Sequence, residues 1–261
     1  MLPRIILFNH LVISFYGLFI SFGIIGALIL LKRSARIREI NPKSLMNFGI
    51  IMVIFGVIGS RILFILLNLR FFSQGSWFNF MTFWRGGLTF QGGPILAVLV
   101  APFFLARFNL KFWATADALA PSLAIGQGIG RIGCFFAGCC YGKATSASNP
   151  LAVVFPYNSL APAQTPLWPT QLMESVSLLL LSGLLYFGLK TPYAKSRPGI
   201  VAGFYLLGAG LIRFVLDFFR GDDRGRLIFG APPTTIISVV VGLTGLLVLT
   251  GLVRSRKLAQ V

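Results

Sequence analysis

A chain of 261 residues that is 56% hydrophobic and only 11% charged, with a mean hydropathy of +0.84, carries more apolar surface than a soluble domain of its length can bury. That composition excludes a soluble globular enzyme and points to an integral membrane protein. The formal net charge of +17 comes with no basic stripe interleaved with aromatics in a soluble segment, so no nucleic acid is expected as partner; the charge reads as topological bias plus attraction to anionic headgroups of membrane lipid.

Crossing about 30 Å of hydrocarbon takes roughly 20 helical residues. Windows of that kind fall at 12–31, 48–69, 88–106, 114–137, 172–190, 199–219 and 233–253. The expectation is an all-α integral membrane protein of about seven transmembrane helices, one polytopic membrane domain over 1–261. The third window opens in a glycine-rich stretch that suits a re-entrant loop, and Pro121 and a run of glycines interrupt the fourth. The first window lacks the profile of a cleaved signal, with Arg4 before it and no small-x-small site ahead of the basic loop.

Basic residues fall in alternate loops. Lys32, Arg33, Arg36, Arg38 and Lys43 follow the first window, Arg107 and Lys111 the third, Lys190, Lys195 and Arg197 the fifth, and Arg254, Arg256 and Lys257 the last. The positive-inside rule then puts the N-terminus outside and the C-terminus in the cytoplasm. Loops 70–87, 142–170 and 220–232 face the exterior. The loop 142–170 holds Pro150, Pro156, Pro162, Pro166 and Pro169, which disfavour both a continuing helix and a central strand.

Polar residues inside or at the edges of these windows are the candidate site: Arg61, Arg131, Glu174, Arg213, Asp217 and Arg220, with Asn68, Gln91, Gln127 and Gln171. A guanidinium at membrane depth costs a few kcal/mol and marks a lipid, ion or substrate path. Snorkelling to the interface is an equal reading for Arg61 and Arg220, but Arg131 has apolar and glycine neighbours on both sides. Arg213, Asp217 and Arg220, spaced by four and three, share one helix face as a charge ladder. The four arginines face two carboxylates of the set, Glu174 and Asp217, so a cationic surplus is expected in a central lipid-binding cavity. Guanidinium grips phosphate in a bidentate fork, and the abundant phosphate of a bilayer is a phospholipid headgroup.

Glycines punctuate the same regions. Gly126 and Gly130 form a GxxxG pair suited to close helix packing. In GGLTFQGG, the pairs Gly86, Gly87 and Gly92, Gly93 make poor helix interior and suggest a bend that sets Gln91 beside a polar cavity. Cys134, Cys139 and Cys140 form CxxxxCC, which is not a zinc spacing, and the one histidine, His10, lies near the N-terminus. No metal and no cofactor are expected; the thiols read first as small packing residues, then as one disulfide, then as a catalytic thiolate.

The string GRIGCFFAGCCYG resembles the signature of the bacterial prolipoprotein diacylglyceryl transferases, whose pattern begins Gly-Arg-x-Gly-Asn-Phe and ends in Gly. Further matches follow in the family's order: SFYG near the start, GSR at 59–61, GGLTFQGG at 86–93, WPTQLMES at 168–175 and RFVLDFFR at 213–220. The resemblance implies seven transmembrane helices, an external N-terminus and residence in the bacterial plasma (inner) membrane. It also implies transfer of the diacylglyceryl group of phosphatidylglycerol to the lipobox cysteine of a prolipoprotein signal peptide, leaving a thioether and releasing glycerol phosphate. On this reading Arg131, Arg213, Gln91 and Tyr16 carry the chemistry. Arg61, Gly86, Gly87, Gly92, Gly93, Gly133, Gln171, Glu174, Asp217 and Arg220, with Arg131 again, bind substrate.

The chain departs from the family pattern at Gln91, where the family has His, at Cys134 for Asn, at Cys139 for Glu and at Met173 for Tyr. Gln91 is no general base, so the alternative is a non-catalytic phospholipid-binding or lipid-translocating homologue. A small-solute transporter is a weaker third reading, since no pair of inverted halves is visible.

Overall fold

A computed structural model describes residues 4–7, 11–69, 87–223 and 230–258. After a hairpin of β1 (Arg4–Leu7) and β2 (Leu11–Ser14) come α1 (Phe15–Ile37), α2 (Pro42–Leu67), α3 (Gly92–Arg107) and α4 (Phe112–Ala137). The strands β3 (Val153–Val154) and β4 (Pro166–Leu167) then pair antiparallel, and α5 (Thr170–Leu189), α6 (Pro192–Lys195), α7 (Ile200–Asp217) and α8 (Pro233–Leu258) complete the chain. Each of the seven apolar windows falls on one long helix. Five of them, α1, α2, α5, α7 and α8, are long and apolar enough to cross a bilayer by length and composition. α3 has 16 residues, roughly 24 Å of helix. Asp117, Gln127, Arg131 and four glycines dilute the apolar character of α4.

Two boundaries differ from expectation. Residues 11–14 form a strand, and α1 runs on to Ile37, so Lys32, Arg33 and Arg36 lie on the helix instead of in a loop. α4 passes unbroken through Pro121 and the glycine run. Many of its polar and small positions face protein: Thr115, Asp117, Ser122, Gly128, Gly130, Gly133 and Cys134 are buried. Neighbouring side chains also hold its backbone, as Ser182 donates to the Pro121 carbonyl and Ser175 to the Gly128 carbonyl, both at 2.8 Å. These bonds tie α5 to the backbone of α4. Large apolar side chains such as Ile25, Val98, Leu184 and Leu247 are exposed, as lipid-facing helices require.

The chain divides into two compact units, Glu39–Phe112 and Met1–Arg38 with Trp113–Val261. In the smaller, α2 and α3 meet backbone to backbone. A Cβ on Gly59 would run into the Gly92 carbonyl and lie 2.6 Å from Leu96 Cβ, and one on Gly93 would lie 2.9 Å from the Gly56 carbonyl oxygen. In the larger, a Cβ on Gly23 of α1 would lie 2.8 Å from the carbonyl oxygen of Gly126 in α4. The GxxxG pair is thus a packing device, since small residues let helices approach where no hydrophobic drive separates protein from lipid.

A buried ion pair ties the larger unit together at one end of α4. The Asp117 side chain is fully buried and pairs with Arg38, whose side chain is 4% exposed. The same carboxylate accepts from the amides of Gly199 at 2.8 Å and Ala202 at 2.9 Å, at the start of α7. Arg38 also donates to the Ala194 carbonyl at 2.8 Å. Asp117 therefore caps α7 from another helix, supplying acceptors for orphan amides and negative charge at the positive end of the dipole. Arg38, counted among the basic residues of a cytoplasmic loop, is a structural partner. Removing one member of a buried pair costs about 3–5 kcal/mol. Asp117→Ala should lose that much in a detergent unfolding experiment, and the Arg38→Ala, Asp117→Ala double variant should lose less than the sum of the singles. Additive losses would show that the two charges are not coupled.

Candidate functional site: a carboxylate-linked arginine pair beside three thiols

α4, α5 and α7 bring three ionisable groups of the sequence motifs into one network. Glu174, at the second turn of α5, forms an ion pair with Arg131 through Oε1 at 2.9 Å and accepts from Arg213 through Oε2 at 2.9 Å. Arg213 in turn lies 3.6 Å from Asp217 one turn along α7. Asp217 accepts from the hydroxyls of Thr235 at 2.7 Å and Thr234 at 3.3 Å at the start of α8. The Glu174 side chain is 8% exposed, against 23% for Arg131 and 18% for Arg213. Each guanidinium carries five donors, and Glu174 takes one nitrogen from each. The remaining fork of Arg131, partly exposed, can meet an anion.

The charge ladder on α7 is shorter than expected. α7 ends at Asp217, and Arg220 lies beyond it, bridging backbone to backbone with Gly142. The Arg220 guanidinium instead grips Asp222 in a fork, at 2.8 and 2.5 Å. The expected cationic surplus shrinks with it, because Arg131, Arg213 and Arg220 stand against Glu174, Asp217 and Asp222. Counting only carboxylates within the apolar windows missed Asp222, two residues along from Arg220; the fork is a local contact that such a short spacing signals.

The arrangement of chain beyond α4 is set by the same strands of backbone. Lys143 donates to the Phe219 carbonyl at 2.7 Å and Gly221 to the Tyr141 carbonyl at 3.1 Å, which joins the loop after α4 to the loop after α7. Gly138 ends α4 with φ of 72°, and a Cβ there would press to 2.8 Å on Ser159. Buried Gln171 donates to the Cys139 carbonyl at 2.8 Å, and Thr170 to the Cys140 carbonyl at 3.0 Å. The WPTQ motif is thereby a clamp on the cysteine turn, a role not anticipated for Thr170.

The sulfurs of Cys134, Cys139 and Cys140 lie within 4.8 Å of one another, and all three are free thiols. Arg131 Nη1 is 4.0 Å from the Cys134 sulfur. The Cys139 thiol donates to the Cys134 carbonyl at 3.7 Å. Tyr16, half exposed near the start of α1, lies close enough for the charges of Arg131 and the thiols to be felt at its phenol. Gly133 is occupied by helix contact, since a Cβ there would lie 3.1 Å from the Tyr16 carbonyl oxygen and from Phe19 Cβ.

Of the remaining predicted residues, Arg61, Asn68, Gly87, Gln91, Gly92 and Gly93 belong to the smaller unit and are described apart. Arg61 donates to the Gly87 carbonyl at 2.9 Å and sits over the Phe64 ring at 5.6 Å. Gly87 adopts φ of 86°, so the backbone does bend here. Gln91 precedes α3, is exposed, and makes no side-chain hydrogen bond to the helix start. Gly92 and Gly93 serve the α2–α3 approach described above. Gly86 and His10 lie outside the described residues. Gln127 donates to the Tyr205 hydroxyl at 2.8 Å, and Asn68 to the Phe64 carbonyl at 2.8 Å.

Glu174 is the member whose loss is most costly, because two partly buried guanidiniums would lose their shared counter-charge, with Asp217 left beside Arg213 at 3.6 Å. Glu174→Ala should destabilise by about 3–5 kcal/mol or more, with Glu174→Gln milder because its carbonyl can still accept. Equal Tm for wild type and Glu174→Ala would show that the bridge adds nothing to the fold.

Comparison with known proteins places this geometry in a family. The model of the prolipoprotein diacylglyceryl transferase family matches residues 3–251. A phosphatidylglycerol–prolipoprotein diacylglyceryl transferase of Clostridium tetani is 30% identical over 231 residues, covering 87% of this chain and 90% of that protein. A protein named phosphatidylglycerol–prolipoprotein diacylglyceryl transferase 2, from Clostridium perfringens, is 35% identical over 213 residues, 81% of this chain and 80% of its own. A third, from Acaryochloris marina, is 31% identical over 256 residues, 94% of this chain and 89% of its own. The multi-pass helical architecture and these near-complete matches lead to one conclusion: the chain belongs to the prolipoprotein diacylglyceryl transferase family.

Proposed function

We propose that this protein transfers the diacylglyceryl group of phosphatidylglycerol to the cysteine thiol of a prolipoprotein signal peptide, forming a thioether and releasing glycerol phosphate. The observation that carries the reading is Arg131, a guanidinium on a helix within an apolar bundle, oriented by Glu174 at 2.9 Å and still partly exposed. In the reaction the substrate sulfur bonds to the terminal glyceryl carbon as the carbon–oxygen bond to phosphate breaks. The electron pair leaves on the glycerol phosphate oxygen. A guanidinium aimed at that phosphate is worth most as charge develops on the departing oxygen. Arg213, fixed on the other oxygen of the same carboxylate, holds Glu174 in place and adds positive potential. The names of the relatives support both substrates.

The protein resides in the bacterial plasma membrane with its N-terminus outside, where the loop 138–169 and the cysteine turn meet exported substrate. The alternating basic loops support this orientation. A second reading, retention of the lipid site without catalysis, rests on Gln91, which cannot take the proton from the attacking thiol.

The deciding experiment reconstitutes the purified protein in phosphatidylglycerol liposomes with a lipobox peptide and follows peptide mass and released glycerol phosphate. Wild type should add one diacylglyceryl group per peptide. Arg131→Ala should lose roughly 100-fold or more, as removal of one oxyanion donor does, and Arg131→Lys should recover only part because it lacks the fork. A wild-type rate in Arg131→Ala would sink the role given to Arg131, and bound lipid with no glycerol phosphate would favour the second reading.

A further inference from the structure

The three thiols are the largest group of reactive side chains that the network of Arg131, Glu174 and Arg213 leaves unused. CxxxxCC is no zinc spacing in sequence, yet the fold closes it into a cluster. Cys134 lies on the last turns of α4, Gly138 turns the chain back, and Cys139 and Cys140 come round so that all three sulfurs fall within 4.8 Å of one another. Four-coordinate zinc binds thiolate at about 2.3 Å, which at the tetrahedral angle separates sulfurs by ~3.8 Å. The difference to be closed is about 1 Å.

The turn is held as a ligand-bearing turn would be. Cys140 has φ of 59°, a left-handed conformation that costs a non-glycine residue on the order of 1 kcal/mol. The hydroxyl of Thr170 and the amide of Gln171 pin the carbonyls of Cys140 and Cys139. The Gln171 side-chain oxygen is buried and has no hydrogen-bond partner among the described residues. A disulfide would use two of the three sulfurs and leave the third without purpose. Three thiolates on a divalent cation leave a single negative charge, and the Arg131 guanidinium stands 4.0 Å from the Cys134 sulfur. Thiolate donors select soft and borderline cations, not magnesium or calcium.

We propose that Cys134, Cys139 and Cys140 bind one thiophilic divalent cation of the zinc class, and that its fourth position takes the thiol of the incoming signal peptide. This rests on the transferase reading above and supplies the step that Gln91 cannot. A thiol that coordinates the metal is deprotonated outright, its proton passing to water. The metal-held sulfur then attacks the glyceryl carbon, the carbon–oxygen bond breaks, and the electron pair leaves on glycerol phosphate. The thioether product has no anionic sulfur, binds weakly and departs, returning the three-thiolate site. Three protein ligands with an open fourth position is the arrangement of catalytic, not structural, zinc.

The test uses the full chain in phosphatidylglycerol liposomes, with Zn²⁺ for stoichiometry and Co²⁺ as the spectroscopic probe. One metal per chain and a thiolate-to-cobalt charge-transfer band are expected. Cys134→Ser, Cys139→Ser and Cys140→Ser should each weaken metal binding by more than the roughly 10–100-fold that loss of an outer-shell partner costs, while an unchanged Tm without metal shows the variants fold. A lipobox peptide should alter the cobalt spectrum, and the same peptide with serine for cysteine should not. Chelation should stop transfer and Zn²⁺ restore it. No stoichiometric metal in wild type, a disulfide in place of three titratable thiols, or undiminished transfer after metal removal would overturn the site while leaving the transferase reading standing. Metal binding with a cysteine-dependent cobalt response but no transfer under any condition would support the site and remove the transferase reading instead.

Discussion

One carboxylate holding two guanidiniums inside an apolar bundle is the constraint from which the site follows. Glu174 cannot be solvated by lipid, and neither can Arg131 or Arg213, so each is tolerable only while the others stay within hydrogen-bond reach. That mutual need sets the rotation of α4, α5 and α7 about their axes. It also fixes the orientation of the Arg131 guanidinium. Close packing makes this possible: Gly128 of α4 leaves room for Leu179 of α5, whose atoms would lie 3.0 Å from an added Cβ.

α4 is polar at both ends and serves different purposes at each. At one end Asp117 is paired, capped and fully buried, with its charge spent on architecture. At the other, Arg131 and Cys134 are followed by a strained turn whose carbonyls are clamped by Thr170 and Gln171. The two charges differ in exposure and in the number of partners. Asp117 has three donors and no open side, while Arg131 has a single carboxylate and remains in part accessible.

Much of the fold was legible in the sequence because bilayer thickness imposes a length on apolar helices, and each of the seven windows became one helix. Boundaries were less legible. Basic residues such as Lys32 and Arg36 can extend a helix past the hydrocarbon, so charge did not mark the end of α1. In α4, Pro121 and the glycines read as breaks, but the helix runs through them and serines of α5 donate to the Pro121 and Gly128 carbonyls, contacts that no local pattern reveals. The site was visible as a set of residues and not as pairings. Glu174 and Arg131 are far apart in the chain, and the spacing that suggested a ladder on α7 fails at Arg220 because the helix stops first. The thiol cluster was hidden for the same reason, since a turn of positive φ, absent from any spacing rule, folds Cys139 and Cys140 back on Cys134.

The cap on α7 carries a message about assembly. Arg38 precedes Asp117 in the chain, and Asp117 precedes Gly199 and Ala202, so the amides of α7 find their acceptor, already paired, as they emerge from the ribosome. The amino-terminal amides of α7 never need to wait in lipid for an acceptor synthesised later. Chain order and electrostatic order coincide, and the helix that carries Arg213 is seated by a carboxylate that was in place before it.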